Sequence, residues 1–538
     1  MGGVDNWQIG GCPSRIELDT VHAMFGKACL EVNVHSSPYA EARTLHIFQS
    51  IFLPIKANEL SVSFWLKSKF LNGGYLKAYL LNAIEDTISI NSIKFIDSPE
   101  WKKYNLNIRS KSGQILYLEI NLSQNSKVWL DQFEININGN PIYSNVSHMN
   151  NSISDTLHLI NAISMNTIDT LSFGLLKEIK DKRIIGIGES VHGVHEMALA
   201  RNKLIKYLVK NENCKLVVLE APSCFVDSLN LYIQGNTKDE EVFNANNIDK
   251  VQFYVYSNEM FELLKWLKEF NKSLVKKVVI AGMDVSSNSG SNLAEFLNNF
   301  RDDDIVKKMI YYEQNSNSDS ILEIVAKEKT HLISILNINQ YNNLIKLCDK
   351  FEQFNYVYRT ILNNRGRDSI MAENVKMLVE KFTTIDEKTV VCGHLMHINK
   401  LNLINSLTPS LGKRLSNYYC DNYFVVAQLV GNGKYQAFQI DKDHLNINSL
   451  IPAIDGSIEK ISSHVPLESF YVFVKPYSIF KNELVLFRKQ GGIPQKNQFY
   501  SGNLHRRIDA MLFLQEGSPL LFMQDKLKEY YNSKYSKQ

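Results

Sequence analysis

The sequence predicts an all-β jelly-roll sandwich followed by an α/β domain, whose central sheet is mostly parallel or mixed and carries helical cap insertions. Two patterns predict it. Residues 1 to about 145 run in short alternating segments such as Leu60-Ser61-Val62-Ser63-Phe64-Trp65-Leu66 and Gln114-Ile115-Leu116-Tyr117-Leu118-Glu119-Ile120, and period-two alternation between turn residues marks antiparallel strands. Beyond about residue 153, apolar runs of strand length alternate with helical stretches, the α/β pattern. A chain of 538 residues also exceeds what one hydrophobic core usually serves. The expected division is a β-sandwich over 1–145, a linker over 146–157 that includes the polar stretch Ser147-His148-Met149-Asn150-Asn151-Ser152, and an α/β domain over 158–538.

Within the first part, Lys127-Val128-Trp129-Leu130-Asp131-Gln132-Phe133, preceded by Trp101-Lys102-Lys103-Tyr104, resembles the jelly-roll modules of the galactose-binding and carbohydrate-binding type. The resemblance implies a surface for carbohydrate or protein contact, although many aromatics of such modules belong to the core.

In the second part four apolar runs end in a polar or ionisable residue: Ile184-Ile185-Gly186-Ile187-Gly188-Glu189, Leu216-Val217-Val218-Leu219-Glu220, Val278-Val279-Ile280-Ala281-Gly282-Met283-Asp284 and Thr389-Val390-Val391-Cys392-Gly393-His394. Runs of this kind read as strands buried on both faces, and open α/β sheets bind ligands outside the carboxyl ends of their strands. Glu189, Glu220, Asp284 and His394 are therefore expected along one edge. The helical stretches from Phe253 to Phe270 and over most of 290–380 read as a cap above that edge. Tyr423 to Val430, Gly431-Asn432-Gly433 and Lys434 to Phe438 read as a hairpin added to the sheet.

Charge excludes one class of partner. Lys and Arg number 59 against 56 Asp and Glu, a net charge of +3 without an extended basic patch, so no nucleic acid is expected. No uncharged stretch approaches the roughly 20 residues that span a bilayer, and the start lacks a secretory signal; no membrane contact and a cytoplasmic location are expected. The seven cysteines contain no Cys-x-x-Cys pair and read as reduced thiols, not as a zinc knuckle or disulfide framework.

Chemistry concentrates in Gly188-Glu189-Ser190-Val191-His192-Gly193, between a strand and an amphipathic helix. Glycines let the chain turn sharply there, and an imidazole beside a carboxylate can accept a proton from water. The competing structural reading has Glu189 capping the helix and His192 satisfied in the core. Arg201, twelve residues after Glu189 and about three turns into the next helix, is a candidate positive partner. These residues resemble the erythromycin esterase family, whose signature is similar to Gly-Glu-x-x-His-Gly, an arginine on the next helix and a strand ending in glutamate: here Glu189, His192, Arg201 and Glu220. Arg367-Asp368-Ser369-Ile370-Met371-Ala372-Glu373-Asn374 resembles the family's Arg-Asp-x-x-Met-Ala-x-Asn helix, and Cys392-Gly393-His394-Leu395-Met396-His397 its His-Asn-x-His strand end, with Leu395 where asparagine is common.

The resemblance implies cleavage of an ester by activated water without an acyl-enzyme, and the chain has no Gly-x-Ser-x-Gly elbow. His192 would be the base, oriented by Glu189 or Glu220, with Arg201 and His394 stabilising the oxyanion and His397 behind them. Arg367, Asp368 and Asp284 would be structural or contact the substrate. No cofactor is expected, and no metal, although Glu-x-x-His and His-x-x-His supply residue types that zinc or manganese accepts. The expected substrate is a small-molecule, peptide or glycoside ester or lactone, a natural product other than or in addition to a macrolide. Alternatives are acyl transfer, dehydration or cyclisation on the same fold, a metal-dependent hydrolase, and a non-catalytic binding protein.

Overall fold

The alternating first part of the chain forms nine strands, and every pairing between them is antiparallel. The computed structural model that shows this describes residues 8–11, 14–36, 43–142, 163–164, 178–237, 257–285, 289–360, 365–403, 407–439, 444–474, 484–495 and 498–521. The expected linker lies outside the described residues. The strands are β1 (Gln8–Gly11), β2 (Ser14–Asp19), β3 (Cys29–Val34), β4 (Thr44–Phe70), β5 (Gly74–Leu81), β6 (Thr87–Lys94), β7 (Lys102–Ser123), β8 (Ser126–Ile137) and β9 (Asn140–Pro141). They order as β2-β3-β8-β4-β7-β5-β6, with β1 on β4 and β9 on β8, in one hydrogen-bonded sheet. β4 pairs with β7 on both sides of an irregularity between Phe52 and Glu59. One core collects Leu45 and Ile47 from before that break and Leu60, Val62, Phe64 and Leu66 from after it, so the sheet bends around its own apolar face. The aromatic phrase is used in packing: Trp129 is 4% exposed and donates to Asp19 at 2.8 Å, while Phe64 stacks on Phe133 and Tyr104.

The second sheet contains β10 (Ile163–Ser164), β11 (Ile184–Glu189), β12 (Cys214–Pro222), β13 (Val279–Asp284), β14 (Lys388–His394), β15 (Tyr423–Gln439), β16 (His444–Ser449), β17 (Ser469–Phe473) and β20 (Ala510–Gly517), with β18 (Val485–Arg488) and β19 (Phe499–Gly502) forming a separate pair. The order is β10-β17-β20-β15-β11-β14-β12-β13. Neighbours from β20 to β13 are parallel, and β17 and β10 extend the edge antiparallel. Strand residues alternate between two cores. Ile185, Ile187, Val217 and Val426 face one side, Ile184, Val218, Val391 and Val425 the other. The first side is covered by α1 (His195–Asn211), α2 (Ser223–Ile233) and α3 (Asn258–Asn271). Burial on both faces is why the runs are apolar without alternation.

The long insertion divides. After β13, α4 (Ser289–Asn298), α5 (Asp304–Gln314), α6 (Ser318–Lys327), α7 (Lys329–Ile335) and α8 (Ile338–Thr360) build a separate core around Leu297, Met309, Ile321, Leu332 and Leu344. The chain then returns to the sheet through α9 (Arg365–Phe382), which packs with α10 (Leu395–Ile398) and α11 (Leu411–Tyr419) on the second side. Among the described residues no helix is long and apolar enough to cross a membrane.

The hairpin expected at Gly431-Asn432-Gly433 is absent. β15 runs unbroken from Tyr423 to Gln439, parallel to β11 and β20, and reversal comes only afterwards, into β16. The glycine serves close approach: Gly433 has φ 115, and a Cβ there would lie 2.0 Å from the Gly517 carbonyl oxygen.

The two sheets meet at a mixed contact. Phe48, Leu81, Ile115 and Tyr117 cluster with Leu484, and α13 (Leu504–Arg507; α12 is Ile458–Ser462) reaches the Asn82–Asp86 turn. Arg507 forms a buried ion pair with Glu85, its Nε donating at 3.0 Å, and Arg506 pairs with Asp86. Glu85→Ala strands a buried guanidinium, so a loss of ~3 kcal/mol is expected, read as a lower thermal midpoint that Glu85→Gln restores in part.

A second expectation concerns Glu459 on α12. Burial pushes its carboxyl up to about 7 from an ordinary 4.5, against the Arg488 backbone N–H that it accepts at 2.7 Å and the Arg488 charge. A raised acid stabilises the fold below its unfolded value and loses that contribution as pH rises through about 7. Glu459→Gln should therefore melt like the parent near pH 5 and above it at pH 8, by up to about 3 kcal/mol, in thermal unfolding at both pH values.

Candidate active site

Strand register assembles the polar ends. Glu189 lies opposite His394 on β14 and opposite Gln428 on β15, while Leu219 opposite Cys392 sets Glu220 beside Gly393. Asp284 falls opposite Pro222 after a register shift. The four run-ending residues thus occupy four consecutive strands, β13-β12-β14-β11.

The turn after β11 is pinned from both sides. Ser190 donates its N–H to the Gln428 carbonyl, His192 to that of Gln490, and Gln490 returns one to Ser190. Gly193 has φ 83 and would place a Cβ 2.0 Å from the Gln436 oxygen, so only glycine closes this turn. His192 Nδ1 lies 2.6 Å from Glu189 Oε1, and both residues are 7% exposed. A carboxylate only accepts, so Nδ1 carries the hydrogen and the imidazole lone pair is on Nε2. Glu189 rather than Glu220 is the carboxylate that orients the His192 ring.

The His394 ring centroid is 4.8 Å from that of His192. His394 Nδ1 accepts the Met396 N–H at 3.2 Å, capping α10, which leaves the hydrogen on Nε2. That nitrogen is buried and without a partner among the described residues. Burial, then the neighbouring His192, holds the His394 pKa well below its ordinary value against the pull of Glu220. His394 is thus a neutral N–H donor beside His192.

Behind the pair lies an ionic network. Glu220 accepts the His394 backbone N–H on Oε2 at 2.6 Å and Arg367 Nη2 on Oε1 at 2.9 Å. Arg367 also forks onto Asp284, at 2.9 and 2.6 Å. Burial opposes the charge of Glu220, but His397, Arg367 and His192 outweigh it and hold its carboxyl well below the carboxylate range. His397 Nδ1 lies 2.9 Å from Asp368, which also accepts the Leu411 N–H. Burial lowers the proton affinity of His397, yet Asp368 and Glu220 raise it overall. Its Nε2 accepts from Arg367 Nη1 at 3.0 Å when neutral and faces Glu220, 3.5 Å away, when protonated.

Arg201 lies on α1, 6% exposed, and with Glu189, Glu220, Cys392 and Gln428 lines a small cavity. Its Nε donates to Asn202 Oδ1 at 3.3 Å, Nη2 has no partner among the described residues, and it makes no ion pair there with Glu189 or Glu220. Leu395 is buried in the core of the second side, against Gly188. Sequence reasoning missed Gln428 and the Lys489-Gln490 segment. A lone glutamine inside Val425-Val426-Ala427-Gln428-Leu429-Val430 is a readable signal; Lys489-Gln490 carries none. Among the described residues no three His, Cys, Asp or Glu side chains gather as metal ligands.

The family model described as erythromycin esterase matches residues 209–313 and 329–517. Erythromycin esterase type II of Escherichia coli is 23% identical over 353 residues, covering 56% of this chain and 83% of its own length, and the type I enzyme of that organism is 31% identical over 111 residues, 21% of this chain and 26% of its own. Among solved structures, a Bacillus cereus protein superposes with a TM-score of 0.56 at 21% identity over 70% of this chain and 99% of its own. The erythromycin esterase EreC, a mutant in its open conformation, superposes with 0.50 at 17% identity over 67% and 98%; both likenesses speak to the fold. With the model matched over more than half its length, the chain belongs to the erythromycin esterase family.

Proposed function

We propose that the protein is a hydrolase that cleaves an ester or lactone with water activated by His192. The observation that carries this reading is the Glu189–His192 contact at 2.6 Å beside a neutral His394 whose Nε2–H has no partner among the described residues. His192 Nε2 takes a proton from water as its oxygen adds to the carbonyl carbon. The carbonyl π electrons move onto oxygen, where His394 Nε2–H meets the developing charge. Collapse breaks the acyl C–O bond, and His192 returns the proton to the leaving alkoxide, giving a carboxylic acid and an alcohol. Glu189 holds the ring and stabilises the imidazolium. Arg201, which lines a cavity with Glu189 and Glu220, acts on the carboxylate field rather than on the oxyanion itself. The scheme uses no metal or cofactor. The substrate is a natural-product ester or lactone. Relatives named erythromycin esterases bring macrolides within that class.

With 4-nitrophenyl butyrate and erythromycin as probes, His192→Gln should lower kcat about 10³-fold with a thermal midpoint near the parent's, and His394→Ala should lower it about 10²-fold; retention of full turnover by His192→Gln ends the scheme. In water enriched in oxygen-18, one labelled atom should enter the carboxylic acid product. Absence of label would instead favour acyl transfer or cyclisation. Dialysis against a chelator should leave the rate unchanged, and stoichiometric zinc with chelator-sensitive turnover would replace this scheme with a metal-dependent one.

A further inference from the structure

Lys489 is the buried cation that the scheme leaves unused. It follows β18 directly, next to Gln490, whose backbone holds Ser190 and His192, so it belongs to the segment that braces the catalytic turn. It is 8% exposed. Along β18, Val485 and Phe487 join the core on the α10 side, whereas Arg488 turns the other way, to the Val430 and Gly431 carbonyls and Gln498. Alternation returns Lys489 to the α10 side. There its Nζ lies 4.8 Å from the ring centroid of Tyr500, which packs on that core, and its charge bears on His394.

What distinguishes Lys489 is the absence of an anion among the described residues. Lys388, also buried, donates to the carbonyls of Ile179, Lys180 and Lys182, and Lys400 pairs with Asp509. Around Lys489 the structure sets the Tyr500 ring, a neutral His394, and Arg507, whose own partner is Glu85. Burial first, then Arg507, lowers the ammonium pKa to about 8. A buried ammonium is costly without a counter-charge, and the ring face helps to hold it in place.

We propose that Lys489 determines specificity: its ammonium binds an anionic group, a carboxylate or phosphate, carried by the substrate near the scissile carbonyl, so that the preferred substrates are anionic esters. This rests on the ester-hydrolase reading of the site. In the full chain, kcat/KM is compared for mono(4-nitrophenyl) glutarate and the neutral 4-nitrophenyl butyrate. The parent should prefer the anionic ester at least tenfold. Lys489→Met should abolish the preference chiefly through KM, while Lys489→Arg keeps most of it. In a His192→Gln background, calorimetric titration with monomethyl glutarate and with methyl phosphate should give saturable binding of one of them, weakened at least tenfold by adding Lys489→Met, and the tighter anion names the group. No preference in the parent, or the same preference in Lys489→Met, overturns the proposal, as does the lack of saturable binding of either anion. If neither ester is hydrolysed yet an anion binds through Lys489, the hydrolase reading fails and the anion site stands.

Discussion

Two carboxylates at neighbouring strand ends, Glu220 and Asp284, are bridged by a single guanidinium, that of Arg367, and the rest of the site is built outward from this bridge. Buried carboxylates this close repel and pay a large desolvation cost. A planar fork with donors in fixed directions satisfies both where a flexible ammonium would reach one. The bridge ties α9 to β12 and β13. It also leaves the second oxygen of Glu220 to accept the His394 N–H, and that bond sets where β14 stops and α10 begins. The neutral donor character of His394 follows, because its Nδ1 becomes the cap of α10.

The two halves of the site are electrostatically unequal. Toward β15, Glu189 and His192 form a compact hydrogen-bonded pair in a turn whose Ser190 and His192 N–H groups donate to the Gln428 and Gln490 carbonyls. Toward β13, Arg367, His397, Asp368, Asp284 and Glu220 form a charged network in which each cation has carboxylate partners. His394 sits between them with no charge of its own, suited to meeting a developing oxyanion because it has an N–H to offer and no pressure to release it.

What could be read from the chain divides by range of interaction. The four polar-ended strands were legible because strands covered on both faces must be apolar until they leave the sheet, and the ends then fall on one edge. Glu189 and His192 were legible because they are three residues apart in one turn. Glycine at 431 and 433 misled, since glycine permits both a reversal and a close passage of strands, and only the neighbour β20 decides which. Lys489 was illegible because its environment is made by Tyr500, His394 and Arg507 from three other elements.

The first sheet belongs to the scaffold of the site in a specific sense. A helix of four residues cannot hold itself together, because the cost of nucleating a turn outweighs the one or two bonds it makes. α10, which follows His394 and carries His397, therefore depends on its caps. Its carboxyl end is held by Asn399, whose amide donates to the Leu395 and Met396 carbonyls and whose Oδ1 accepts Arg507 Nη1 at 2.7 Å. Arg507 is in turn neutralised by Glu85, on the turn after β5 of the first sheet. Glu85 itself has φ 62, a conformation side chains other than glycine's rarely adopt, maintained by the Asn82 side chain accepting the N–H groups of Ile84 and Asp86. A strained turn in the first sheet is thus two residues removed from the helix that joins the histidines of the second, so the rigidity of the α10 turn is a property of both sheets together.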